Sequence, residues 1–304
     1  MTYEIIDKKV LSSNGKTDLV GKIYLPNDNI KGYFHIVHGK TEHIARYDFF
    51  MRKLAECGYI TFAYDHLGHG NTAVNDSELG FIAERDGDDR LANDVQVFAD
   101  AVRSEYGKYP YYLLGHSMGS FVVRKALQKY ITPDKIIIMG TGGPAPVTLF
   151  GLYLAKLIRA IFGPRHCSKL IEFLAFGSYN SKFSKDEGPH AWLTNDKEIR
   201  NKYAADKFCT FPFTVSAMHD LISLSHYTNT DDWFKTTAQK APILLVSGED
   251  DVVGDFGKGV RIVEQKLIDN GANLKTKIYP GNRHEILNDV SRNEVIEDIL
   301  AFIS

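Results

Sequence analysis

Short runs of β-forming residues alternate with longer stretches whose apolar residues recur at helical spacing, and this alternation leaves few architectures open. Strands are expected at Tyr3 to Val10, Leu19 to Leu25, Gly32 to Val37, Ile60 to Tyr64, Tyr111 to Leu114, Lys135 to Met139, Ile243 to Val246 and Leu274 to Tyr279. Helices are expected at Arg46 to Cys57, Asp89 to Tyr106, Ser117 to Tyr130, Lys258 to Asn270 and Asn293 to Ile303. The fold class is therefore α/β, a mostly parallel eight-stranded sheet flanked by helices. No helix separates the first two strands, which predicts an antiparallel start to the sheet.

The alternation stops between Gly140-Thr141-Gly142-Gly143-Pro144-Ala145-Pro146 and Lys240-Ala241-Pro242, both rich in breaker residues. Residues 144–240, helical in pattern and aromatic, read as a cap inserted into a core made of residues 1–143 and 241–304. Within it, Val147 to Phe162 is too short, and with Lys156 and Arg159 too charged, for a membrane span. Two readings stay open for this run. It packs an apolar face on the core, or it is a lid helix that lines an acyl pocket and makes transient contact with a membrane or micelle.

Composition narrows the function classes. The net charge is −2 and no basic block stands out, so nucleic acid is not an expected partner. Three widely spaced cysteines, Cys57, Cys167 and Cys209, fit neither a disulfide framework nor a zinc site, and point to a reducing compartment. The first residues lack a basic segment followed by an apolar one, so no signal peptide is read and a cytoplasmic location is expected. Oligomeric state is not legible.

Gly115-His116-Ser117-Met118-Gly119 lies between an expected strand and an expected helix, the context of a nucleophile elbow. Serine needs a histidine to take its proton and a carboxylate to orient that histidine. Where such an elbow occurs, the partners follow in the order Ser, Asp or Glu, His. Of the 11 histidines only His284 follows the acidic cluster Glu249-Asp250-Asp251, and any of those three carboxylates is a candidate. Two N–H donors are needed for a developing oxyanion: Met118, next to the nucleophile, and Lys40, in the loop His38-Gly39-Lys40 after the third strand. His66 and His69, in Asp65-His66-Leu67-Gly68-His69-Gly70, have no convincing third ligand, so a structured turn is expected there and no metal.

Taken together, these pieces resemble the serine-hydrolase branch of the α/β-hydrolase superfamily that contains monoacylglycerol lipases and lysophospholipases. The matching segments are His38-Gly39-Lys40-Thr41-Glu42-His43 with Arg46-Tyr47, Asp65 to Gly70, Gly115 to Gly119, Gly248 to Asp251, and Gly281 to His284. The resemblance implies that the acid stands three residues after the glycine ending its strand, which points from Gly248 to Asp251. It also implies a cap that sets specificity, and Trp192-Leu193 with Phe208 to Phe213 are closer to bacterial members than to animal ones.

The implied reaction is ester hydrolysis through an acyl-enzyme, with Ser117 as nucleophile, His284 as base and Asp251 as its orienting acid, and no cofactor. The expected substrate is a small acyl ester or lipid, a monoacylglycerol or lysophospholipid, with Phe150, Leu154, Trp192, Phe211 and Phe213 as pocket candidates. A peptidase of the same superfamily is the enzymatic rival and needs cap carboxylates such as Asp186, Glu187 or Asp196 to bind an ammonium. A ligand receptor that keeps the fold with little turnover is the non-enzymatic one.

Overall fold

A computed structural model describes residues 2–304. Its elements run β1 (Tyr3–Leu11), β2 (Asp18–Pro26), β3 (Gly32–Val37), α1 (Asp48–Glu56), β4 (Tyr59–Tyr64), α2 (Gly87–Tyr106), β5 (Tyr111–His116), α3 (Met118–Lys129) and β6 (Lys135–Met139). Five helices follow: α4 (Val147–Phe162), α5 (Lys169–Phe176), α6 (Lys197–Ala205), α7 (Val215–Tyr227) and α8 (Asp231–Thr237). Then come β7 (Ile243–Gly248), α9 (Lys258–Asp269), β8 (Leu274–Tyr279) and α10 (Arg292–Ile303).

The strands form one sheet in the order β1-β2-β4-β3-β5-β6-β7-β8. β2 runs antiparallel to both β1 and β4, and every pairing from β4 through β8 is parallel. The expected antiparallel start is present. Central strands bury both faces, and successive residues divide between two cores as the strand period of two requires. Leu113, Ile136, Ile138 and Leu245 face α2, α3, α8 and α9, whereas Leu114, Ile137, Met139 and Val246 face α1 and α10.

Two helices start later than expected. Arg46 and Tyr47 belong to a 3₁₀ turn, Ile44–Tyr47, that precedes α1, and their side chains reach back to Glu42. Ser117 stays outside α3 because its positive φ is incompatible with a right-handed helix.

The stretch between β6 and β7 divides by packing. Trp233 of α8 is fully buried, donates its indole N–H to the Arg124 carbonyl of α3 at 2.9 Å, and sits 4.4 Å from the Arg124 guanidinium. α8 thus lies in the layer that flanks the sheet. α4 and α5 differ: each buries one residue, Ala155 and Ile171, and leaves Leu149, Tyr153, Leu157, Ile161, Phe162, Phe173 and Leu174 exposed. Among the described residues no helix is long and apolar enough to cross a membrane.

Candidate active site

β5 ends at His116 and α3 begins at Met118, leaving Ser117 on the turn with φ 53° and ψ −121°. A side-chain-bearing residue pays strain for that geometry, so the surroundings must impose it. They do so by close approach. A Cβ on Gly115 would meet the Gly119 carbonyl oxygen, and one on Gly119 would fall on the Val37 carbonyl oxygen, so strand and helix can cross this tightly only with glycine at both places. Met118, first in α3, has an N–H with no intrahelical acceptor.

At the carboxyl end of β7 the chain turns after Gly248, and Asp251 swings inward to complete burial. Its Oδ1 accepts the His284 Nδ1–H at 2.9 Å and the Val253 N–H at 2.9 Å, while Oδ2 accepts from Ser247 Oγ at 3.2 Å. Burial works to raise this carboxyl, and the adjacent His284, by charge and hydrogen bond, overrides it and holds the group below the ordinary aspartate value. Glu249 is exposed and accepts the Gly281 N–H instead, and Asp250 is half-buried. Of the three candidate carboxylates, the fold brings Asp251 to His284.

His284 follows β8 and is itself buried. Its ring is 5.2 Å from that of Trp192 and 4.8 Å from that of His116. Nε2 has no hydrogen-bond partner among the described residues, and the ring borders the same cavity as Ser117. A buried imidazole nitrogen without a partner is costly unless a ligand or a reacting group completes it.

Behind the elbow lies a buried charged network for which the sequence had suggested no roles. Glu42 accepts from the Gly39 N–H, from Tyr47 Oη at 2.9 Å and from His116 Nδ1 at 3.1 Å. Arg46 donates twice to Glu285, at 2.5 and 2.6 Å, and once to Glu42 at 3.2 Å. Burial pushes the Glu42 carboxyl up, but His116 and then Arg46 draw it well below the usual range. Burial likewise pushes His116 down, and the Glu42 hydrogen bond reverses that, leaving it raised. The only sequence signal was that Glu42, Arg46 and Tyr47 flank His38-Gly39-Lys40. Glu285 carried none beyond adjacency to His284.

His38 accepts the His66 N–H at 2.9 Å on Nε2 and meets the Gly39 carbonyl at 2.8 Å through Nδ1. His66 and His69 bond to the carbonyls of His38 and Leu67, and burial pushes His69 down to about 3. These histidines build the turn after β4. Elsewhere His43, Asp206 and Cys209 bring potential ligand atoms within 4.8 Å of one another, with His43 Nε2 and Asp206 Oδ2 already paired at 2.8 Å.

Above Ser117 opens a cavity of about 760 Å³ between the sheet edge and the helices that follow β6. Phe150, Leu154, Trp192 and Phe211 line it, together with Lys40, Met118 and His284. Phe213 does not: it borders a smaller cavity of about 470 Å³, on the far side of the Lys40 side chain, whose ammonium lies 4.9 Å from its ring. Tyr179, His190 and Tyr203 also line the main cavity, and nothing in their spacing marked them. The Lys40 N–H donates to no protein acceptor among the described residues.

An eight-stranded sheet of this order, carrying a serine on a strained strand-to-helix turn, defines an α/β-hydrolase. Residues 28–291 match the family described as Serine aminopeptidase, S33, and the chain belongs to that family. It is 24% identical over 290 residues, 95% of this chain and 94% of the relative, to a monoacylglycerol lipase of Mycolicibacterium smegmatis. Its fold matches a thermostable carboxyl esterase from Bacillus coagulans, solved with glycerol, at TM-score 0.93 and 29% identity over 98% of this chain and 97% of the other. A lipase in an open form matches at TM-score 0.92 and 25% identity, over 99% and 98% of the two chains. The chain is an ester hydrolase of the α/β-hydrolase superfamily.

Proposed function

We propose that this enzyme cleaves neutral acyl esters of the monoacylglycerol type through a Ser117-His284-Asp251 triad. The observation that carries the reading is His284, bonded to Asp251 at 2.9 Å through Nδ1 and left unpartnered at Nε2 in the cavity that Ser117 also borders. His284 takes the Ser117 hydroxyl proton as Oγ attacks the ester carbonyl. The Met118 and Lys40 N–H groups stabilise the oxyanion, each contributing roughly 3 kcal/mol. His284 then protonates the departing alcohol, and water activated by the same imidazole releases the fatty acid.

Charge around the cavity favours a neutral ester over a lysophospholipid. Its lining carboxylates are Glu42, Glu172 and Glu285; its lining lysine, Lys40, is already paired with Glu172 at 3.0 Å and its lining His116 with Glu42 at 3.1 Å, so a phosphate would find no unpaired lysine or arginine among the residues lining the cavity. The peptidase reading meets the reverse difficulty, because those three carboxylates are all engaged. Of the cap acids, Glu187 pairs with Arg283 and Asp196 caps α6, and Asp186 does not border the cavity.

Residues 144–240, apart from α8, act in this reading as a cap over a core of 1–143 and 241–304. Phe150 and Leu154 offer the acyl chain about 0.8 kcal/mol per buried methylene. The outer face of α4 and α5, apolar and edged by Lys156 and Lys169, suits transient docking on a lipid surface.

Fluorophosphonate labelling is the test. Wild type should be labelled at Ser117, and Ser117→Ala should lose both label and esterase activity. Unchanged activity in that variant, or faster turnover of an aminoacyl amide than of a monoacylglycerol, would reject the proposal.

A further inference from the structure

The residue whose backbone N–H is proposed as an oxyanion donor has a side chain that is held by the cap. Lys40 Nζ lies 3.0 Å from Glu172 Oε1, and the lysine side chain is only 14% exposed. It also stands 4.5 Å from the ring of Phe176. Glu172 and Phe176 are one turn apart on α5, so a single helix face grips the ammonium.

The rest of that loop is pinned from other directions. Gly39 donates its N–H to Glu42, on the core side. Thr41, in a left-handed conformation at φ 49°, accepts on its carbonyl from Tyr203 Oη of α6 at 3.0 Å. The Gly39–Lys40 peptide plane, which carries the Lys40 N–H, is therefore suspended between a core anchor and two cap anchors. α5 itself buries only Ile171, so its seating depends on few contacts, and the ion pair, buried on the Lys40 side and open to solvent on the Glu172 side, is one of them.

We propose that Glu172 is a positioning residue that aims the Lys40 N–H through the Lys40 side chain, so that seating of α5 and completion of the oxyanion site are one event. Glu172, Phe176 and Pro212 also border both cavities, and form a partition between them. Lifting α5 opens that partition and at the same moment frees the Lys40 loop. Passage between the two cavities then coincides with an incomplete oxyanion site.

The inference rests on the triad reading above, and short esters separate the two. A p-nitrophenyl acetate leaves the apolar part of the main cavity around Phe150 and Leu154 nearly empty, so a residue that merely shapes that part has no influence on its turnover. Glu172→Gln and Lys40→Met should each lower kcat on this ester at least about tenfold with KM within about twofold, since a mis-aimed donor loses stabilisation made only in the transition state. The double variant should be no slower than the slower single one, because both break the same link. Lys40→Arg, which keeps the pair, should remain within about threefold of wild type. An unchanged kcat in Glu172→Gln, losses that multiply in the double variant, or a Lys40→Arg as slow as Lys40→Met would overturn the inference. If Ser117→Ala is inactive while Glu172→Gln is unaffected, only this link fails; if Ser117→Ala retains activity, the triad reading itself fails.

Discussion

Asp250 and Asp251 are neighbours in the chain, yet one is half-buried on a turn and the other is sealed against an imidazole. The difference is the direction in which the chain leaves β7. Asp251→Asn should therefore lower kcat about a thousandfold or more, by spoiling the tautomer and the charge that His284 needs. Asp250→Asn and Glu249→Gln should stay within about threefold. Steady-state kinetics on a soluble ester distinguish them, and comparable losses in all three would mean that the acid had been misassigned. Trp192 gains a second meaning at this scale: expected only as pocket lining, it also packs its ring, tilted, against His284.

Among the elements, α4 and α8 open and close one helical stretch and have opposite environments. α8 is seated by Trp233, which fills the space beside Arg124 and Phe234. Trp233→Ala should cost about 3–5 kcal/mol of unfolding free energy, measured by urea titration, because the void opens in a close-packed layer. A loss below about 1 kcal/mol would show that α8 is not part of the folding core. α4, by contrast, presents Leu157 and Ile161 to solvent at 58% and 63% exposure. Replacing both with glutamate should reduce cosedimentation with phospholipid vesicles severalfold, at little cost to stability. Equal vesicle binding by this variant would remove the lipid-docking role.

Across the whole molecule, Glu42, His116, Arg46 and Glu285 join the loop after β3, the elbow and the loop after β8 into one buried network. Its charges make stability depend on pH in a definite sense. His116 is raised above its ordinary 6.5, so its contribution is complete below that value and is lost as pH rises through the higher folded value. Glu42 is depressed, so its contribution is present above the ordinary carboxylate value of 4.5 and is lost only as pH falls toward the depressed one. Denaturant titrations at about pH 6 and about pH 9 should show wild type losing stability over that interval, and Glu42→Gln losing less, since the carboxylate is what raises His116. An equal loss in both would detach His116 from Glu42.

Periodicity is a local property, and it was enough to locate the eight strands, the helices outside the insertion, and the elbow at Ser117, whose glycines answer to a steric demand within five residues. It also left His284 as the sole histidine after the acidic cluster. The order of strands in the sheet, the choice of Asp251 over its neighbours, and the placement of Phe213 behind Lys40 depended on how distant segments pack. So did the pairing of Arg46 with Glu285, 239 positions apart, and of Lys40 with Glu172, 132 apart. No local pattern records such contacts, because their partners are selected by burial and charge only after the sheet has brought the loops to one edge.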